Sequence, residues 1–167
     1  MQKIMVLLVA ATLSLGFAQD TGGMSDTASA ELSATTDSGT PEAYTEARWQ
    51  EASGTASVTS QSEGEYTVRV EASGLVPDGL YTTWYVIPGL AGTAAGQEVG
   101  PAGGVPNEFR ADDQGNATFE FAVPAGNDYR DLVVAYHADD MTHGEMPGAM
   151  GEVTFAHLMT AFPAPSN

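Results

Sequence analysis

Two neighbouring apolar runs decide the fold: YTVRVEA at residues 66–72 and LYTTWYVI at residues 80–87. In the first run, Tyr66, Val68 and Val70 alternate with polar side chains, which predicts a strand with one buried and one solvated face. The second run is dense in β-branched and aromatic residues, which favour strands. The intervening segment GLVPDG contains Gly and Pro, which favour a turn. The sequence therefore predicts a strand, a turn and a second strand.

Similar strand signals recur along the chain. They lie at 118–123, 132–137 and 153–162, with weaker ones at 44–50, 55–61 and 108–111. Turn residues at 62–64 and 112–116 predict hairpin connections, and no segment has a sustained helical repeat. We expect an all-β fold, an antiparallel β-sandwich of immunoglobulin-like or cupredoxin-like type with about seven to eight strands. A small closed barrel is the alternative.

The N-terminal residues predict export. Lys3 precedes an apolar stretch, and GFA at 16–18 has the small residues that a signal peptidase recognises. We expect a signal peptide over 1–18, a disordered Ser/Thr/Asp-rich linker over 19–43, a β-sandwich domain over 44–163 and a tail over 164–167. The mature protein is then expected in the periplasm or outside the cell, without membrane insertion after signal cleavage.

Composition restricts the classes of function. The chain has 22 acidic residues, five basic residues and a formal net charge of −17. Such a surface repels nucleic acid and attracts cations and basic partners. The chain has no cysteine, which excludes disulfides and a thiolate-ligated blue-copper site. It lacks the G-x-S-x-G and H-E-x-x-H motifs, and we expect no enzymatic activity.

The segment ASGLVPDGLYTTW at residues 72–84 resembles a GL-P-G-Y-x-x-W pattern. That pattern occurs in exported bacterial β-sandwich domains of uncharacterised type, including the extracytoplasmic domains of anti-sigma factors. The resemblance covers one strand–turn–strand segment. It implies the β-sandwich fold and no particular activity.

Soft metal ligands are concentrated near the C-terminus. All three histidines and four of the seven methionines lie between residues 137 and 159. Imidazole and thioether groups suit Cu(I). The candidate ligands are His137, His143, Met146, Met150, His157 and Met159. On a regular strand, His157 and Met159 would project from one face.

The tripeptide His157-Leu158-Met159 is similar to the H-x-M ending of periplasmic copper chaperones of the cupredoxin-like type, which implies copper as the cofactor. Two other interpretations stay open. His157 and Met159 also fit the core face of the last strand. Alternatively, the imidazoles of His137 and His143 with neighbouring carboxylates suit zinc or another divalent ion.

The most favoured function is an exported, non-enzymatic binding or interaction module. Its expected partner is a protein or small ligand at the cell envelope, and no cofactor is assigned to it other than copper in the alternative below. The predicted contact surface is the loop 138–151, acting together with the Gly-rich loop 88–106. The residues proposed for contact are Asp139, Asp140, Met141 and Glu145. The alternative function is a Cu(I)-binding, metallochaperone-like protein that uses the His/Met cluster.

Overall fold

The computed structural model describes residues 26–61, 64–87, 96–99, 107–126, 128–144 and 146–165. The predicted signal peptide and the start of the predicted linker lie outside these ranges, as do Glu145 and most of the loop 88–106. Among the described residues, no helix has the length and apolar character needed to cross a membrane.

The described chain is built almost entirely from antiparallel strands, which confirms the all-β prediction. The strands are β1 (Thr27–Ala34), β2 (Ser53–Ser60), β3 (Glu65–Ser73), β4 (Leu80–Ile87), β5 (Gly96–Val99), β6 (Glu108–Arg110), β7 (Ala117–Pro124), β8 (Asp131–His137) and β9 (Thr154–Ala161). One short helix, α1 (Glu46–Trp49), precedes β2.

The strands form one hydrogen-bonded path in the order β5-β4-β8-β9-β1-β2-β3-β7, and β6 also pairs with β4. β5 and β6 lie along the same edge of β4, opposite successive parts of it. A tight turn connects β6 to β7, where the backbone N–H of Asp112 donates to Asn116 O at 2.8 Å. This turn brings the two ends of the path together, so the sheet is nearly closed around its interior.

A single apolar core fills this interior. Alternate residues of β3 are buried, while Arg69 and Glu71 are exposed, as the period of two predicts. Side chains from widely separated strands meet there, including Leu32, Val68, Leu132 and Leu158. Burying each such side chain contributes roughly 1.5–3 kcal/mol. The core therefore holds the sheet in its curved form.

The predicted disordered linker over 19–43 is wrong from Thr27 onward. Residues 27–34 form β1, which lies between β9 and β2 and pairs with both. Its small polar side chains suit a solvated strand face, and the Ser29 and Ser57 hydroxyls are 3.0 Å apart across the ladder. Leu32 is buried in the core. Backbone pairing with two neighbours supplies the stabilisation that its composition did not indicate.

Two local predictions also differ from the structure. The weak strand predicted at 44–50 contains α1, because Thr45 caps the helix by accepting a hydrogen bond from the backbone N–H of Arg48 at 3.3 Å. This helical turn places Trp49 in the core. The loop predicted over 88–106 contains β5, whose backbone pairs with the second half of β4.

Candidate functional site

A β-bulge in β9 determines where the C-terminal histidines and methionines lie. Leu158 pairs with Val134 and Ala156 pairs with Ala135, so His157 is the extra residue between them. A bulge changes the direction of a side chain and interrupts strict alternation. His157 and Leu158 are both buried, whereas Met159 is half-buried. The predicted arrangement of His157 and Met159 on one face of a regular strand is therefore wrong.

His157 lies inside the core, where both ring nitrogens have partners. Nε2 donates to the Trp49 carbonyl oxygen at 3.0 Å, and the imidazole stacks on the Trp49 indole with 3.6 Å between ring centroids. The Tyr81 hydroxyl accepts the Val76 N–H at 2.8 Å and lies 3.0 Å from His157 Nδ1, to which it donates. Burial lowers the pKa of His157 to about 4. His157 is thus a neutral structural histidine without a free lone pair for a metal.

His137 lies on the opposite, outer face of the sheet in a chain of polar contacts. Its Nε2 is 2.7 Å from Thr82 Oγ1, which accepts the Trp84 Nε1–H at 2.7 Å. Its Nδ1 is 3.3 Å from Thr154 Oγ1. The Thr154 hydroxyl donates its one hydrogen to the Pro147 carbonyl. The Thr154 oxygen therefore accepts a hydrogen bond from His137 Nδ1–H. The Nε2 atom of His137 therefore carries the lone pair.

The loop 138–151 brings a second imidazole and a carboxylate to His137. The potential ligand atoms of His137, Asp139 and His143 all lie within 4.8 Å of one another. Burial, followed by the nearby His143, lowers the pKa of His137, which favours the neutral imidazole that metals require. We call these three residues the histidine site.

His143 Nε2 is buried and has no hydrogen-bond partner in the described part of the chain. It lies 3.1 Å from Asp139 Oδ2, but the contact is not aligned as a hydrogen bond. A buried, unsatisfied polar atom costs about 1–3 kcal/mol. This unsatisfied atom lies beside the Asp139 carboxylate and close to a second imidazole, that of His137.

The rest of the loop is tied to the sheet at several points. The Arg110 guanidinium lies 2.7 Å from Asp140 and holds the pKa of that carboxyl below its ordinary value. At the base of the loop, the Ala138 N–H donates to the Val153 carbonyl at 2.7 Å. The loop therefore has defined anchors on β6 and beside β9.

Three methionines of this loop are exposed. Met141, Met146 and Met150 have exposed fractions of 58%, 67% and 42%, and they are the exposed large apolar side chains within the described ranges. We call them the methionine surface. Met146 and Met150 were predicted as copper ligands, and Met141 as a partner-contact residue.

The structure thus separates the predicted cluster into four environments. It brings together His137, His143 and Asp139, buries His157 in the core, leaves the loop methionines exposed and leaves Met159 half-buried on β9. The contribution of Thr82 and Trp84 was not anticipated. Their alternation on β4, which places both on one face, was the signal in the sequence that pointed to them.

No protein-family model matches the chain, and no curated protein shows significant similarity to it. Two features of His137 and the loop 138–151 indicate a function for the protein. These are the histidine site and the methionine surface.

Proposed function

We propose that this protein is an exported, non-enzymatic binding module whose methionine surface takes a basic protein segment with an apolar face. The observation that carries this proposal is the concentration of exposed apolar side chains on one loop. In the described part of the chain, the exposed large apolar side chains are those of Met141, Met146 and Met150.

Exposed methionines are suited to binding apolar side chains. Thioether side chains are flexible and polarisable, so they adapt to different apolar shapes and occur on surfaces that bind several partners. Large exposed apolar side chains that cluster on a polar surface commonly mark an interaction site, and Met141, Met146 and Met150 all lie on one ten-residue stretch of the loop. Met146 directly precedes Pro147, whose ring fixes its own φ and restricts the backbone beside Met146.

The charge of the protein indicates a basic partner. The chain carries a formal net charge of −17. Exposed carboxylates lie next to the methionines in the sequence: Asp140, which pairs with Arg110, precedes Met141, and Glu152 follows Met150 by two residues. Opposite charges on a partner accelerate association and favour it over neutral or acidic competitors. A segment that combines Lys or Arg with Leu or Phe side chains matches both the charge and the apolar surface.

The attachment of the loop to the sheet reduces the entropic cost of binding. Arg110 holds Asp140 from β6, and the Thr154 hydroxyl holds the Pro147 carbonyl from β9. Less conformational entropy is lost on binding when the contact residues are already held in place. This arrangement supports direct docking on a largely preformed surface.

The test uses a fluorescent amphipathic peptide with lysines on one face and leucines on the other. We expect the purified protein to bind it saturably in fluorescence anisotropy. Changing Met141, Met146 and Met150 together to Gln removes the apolar contact at nearly constant length. This triple variant should bind about tenfold more weakly.

The triple Met→Leu variant is the matched control, because it keeps the apolar surface and should retain binding. A peptide with the same apolar face and glutamates in place of lysines should not bind. Equal affinity of the wild-type protein and the triple Gln variant for the basic peptide would contradict the proposal, since binding would then be a general effect of charge.

A further inference from the structure

We propose that His137, Asp139 and His143 form a binding site for one divalent transition-metal ion of the zinc type. The site lies between the end of β8 and the loop 138–151. It does not depend on the partner proposed for the methionine surface, because none of its three ligands belongs to that surface.

The separations of the ligand atoms are close to those of a zinc site. Zinc binds imidazole nitrogen and carboxylate oxygen at about 2.0–2.1 Å, so ligands in a tetrahedral site lie about 3.3 Å apart. Asp139 Oδ2 and His143 Nε2 are 3.1 Å apart, and an atom of His137 lies within 4.8 Å of both. The three-ligand arrangement requires the separations from His137, now within 4.8 Å, to shorten to about 3.3 Å.

His143 supplies the independent observation that a ligand belongs here. Its Nε2 atom is buried and has no hydrogen-bond partner among the described residues, although the Asp139 carboxylate is adjacent. A cation between the two groups would be bound by both. Buried polar atoms without partners are uncommon in folded proteins, and an unfilled ion site is one explanation for them.

The surroundings of His137 resemble the outer hydrogen bonding of metal-bound histidines. Its Nδ1–H donates to Thr154 Oγ1, which donates in turn to the Pro147 carbonyl. Such a chain fixes the tautomer and ring orientation of a metal ligand. The two ring nitrogens of His137 now face Thr82 Oγ1 and Thr154 Oγ1, so a metal ion bound to His137 replaces one of these two contacts. Thr82 keeps its bond from the Trp84 Nε1–H.

The ligand set selects the kind of metal ion. Two imidazoles with one carboxylate suit zinc and neighbouring transition metals, whereas calcium and magnesium require mostly oxygen ligands. The exposed methionine thioethers are outside the three-residue set. Three protein ligands leave a fourth position for water.

Gly148 maintains the position of His143. A Cβ atom at residue 148 would lie 2.5 Å from His143 Cδ2, and the positive φ of 86° also favours glycine. The His143 ring therefore packs directly against the Gly148 backbone. Any side chain at position 148 forces the His143 ring or the loop backbone to shift.

The experiment is a calorimetric titration of the purified, chelator-treated protein with ZnCl2. We expect one Zn²⁺ per chain with a dissociation constant of about 10 µM or lower. Asp139→Asn and His143→Ala should each weaken binding by about tenfold or more. Gly148→Ala should weaken it without removing a ligand. Calcium in large excess should not compete.

Asp113→Asn is the matched control for Asp139→Asn, because it removes the same charge from an exposed carboxylate on the turn between β6 and β7, outside the loop 138–151. It should leave zinc affinity unchanged. His143 and Asp139 lie on the surface loop, and circular dichroism of each variant verifies its fold. Absence of saturable binding, or equal losses in the Asp139 and Asp113 variants, would overturn the site.

The peptide assay of the methionine surface is run in the presence of chelator. Loss of zinc affinity with intact peptide binding, or the reverse, therefore distinguishes a failure of one proposal from a failure of the other.

Discussion

Replacing Trp49 by alanine is expected to lower the free energy of unfolding by roughly 3–5 kcal/mol. Trp49 is 1% exposed and belongs to the core. Its Nε1–H donates to the Thr35 carbonyl at 2.9 Å, and its indole stacks on His157. The truncation leaves a large cavity and an unpaired carbonyl, and it exposes one face of the imidazole. Urea denaturation followed by circular dichroism measures the loss.

Trp49→Phe provides the comparison for this variant. Phenylalanine keeps an aromatic ring against His157 but cannot donate to Thr35. Its expected cost is roughly 1–3 kcal/mol, since it combines a smaller cavity with one lost hydrogen bond. If Trp49→Ala were as stable as the wild-type protein, the helical turn of α1 would not be part of the core.

Acidification is expected to destabilise the protein through His157. An unfolded histidine has a pKa near 6.5, whereas burial lowers the pKa of His157 to about 4 in the folded protein. Between these two values the unfolded chain binds the proton and the folded chain does not. The free energy of unfolding therefore falls as the pH decreases from about 6.5 to 4, by up to about 3 kcal/mol from this group. Above pH 6.5 this contribution is constant.

The difference between the wild-type protein and His157→Gln isolates the effect. The variant is expected to be less stable at pH 7, because glutamine cannot stack on Trp49 as imidazole does. Its stability should nevertheless depend less on pH between 6.5 and 4. Titration of the many carboxylates affects both proteins alike and cancels in the comparison. Chemical denaturation at a series of pH values measures both slopes, and parallel slopes would contradict this assignment.

The strands were predictable from the sequence wherever side chains alternate between a buried and a solvated face. Tyr66, Val68 and Val70 are buried as expected, and the neighbouring Arg69 is exposed. β1 was not predictable in this way. Leu32 is the buried core residue of β1, and the other side chains of the strand are small or polar, as in a solvated linker. The segment becomes a strand because β9 and β2 both offer it backbone hydrogen bonds.

The candidate site was predicted in part. The sequence indicated that metal-type ligands lie near the C-terminus, and His137, Asp139 and His143 are close together in the structure. The role of His157 was not predictable. Its two hydrogen-bond partners, Tyr81 and Trp49, are 76 and 108 residues away along the chain.

Local side-chain periodicity and composition therefore determined the all-β class, the strongest strands and the acidic surface, because these properties depend on neighbouring residues. Tertiary structure alone decided the place of β1, the bulge at His157 and the division of the histidines between the two faces of the sheet. These features depend on pairing register and on hydrogen bonds between distant segments. A one-residue irregularity in β9 reverses the direction of the side chains that follow it.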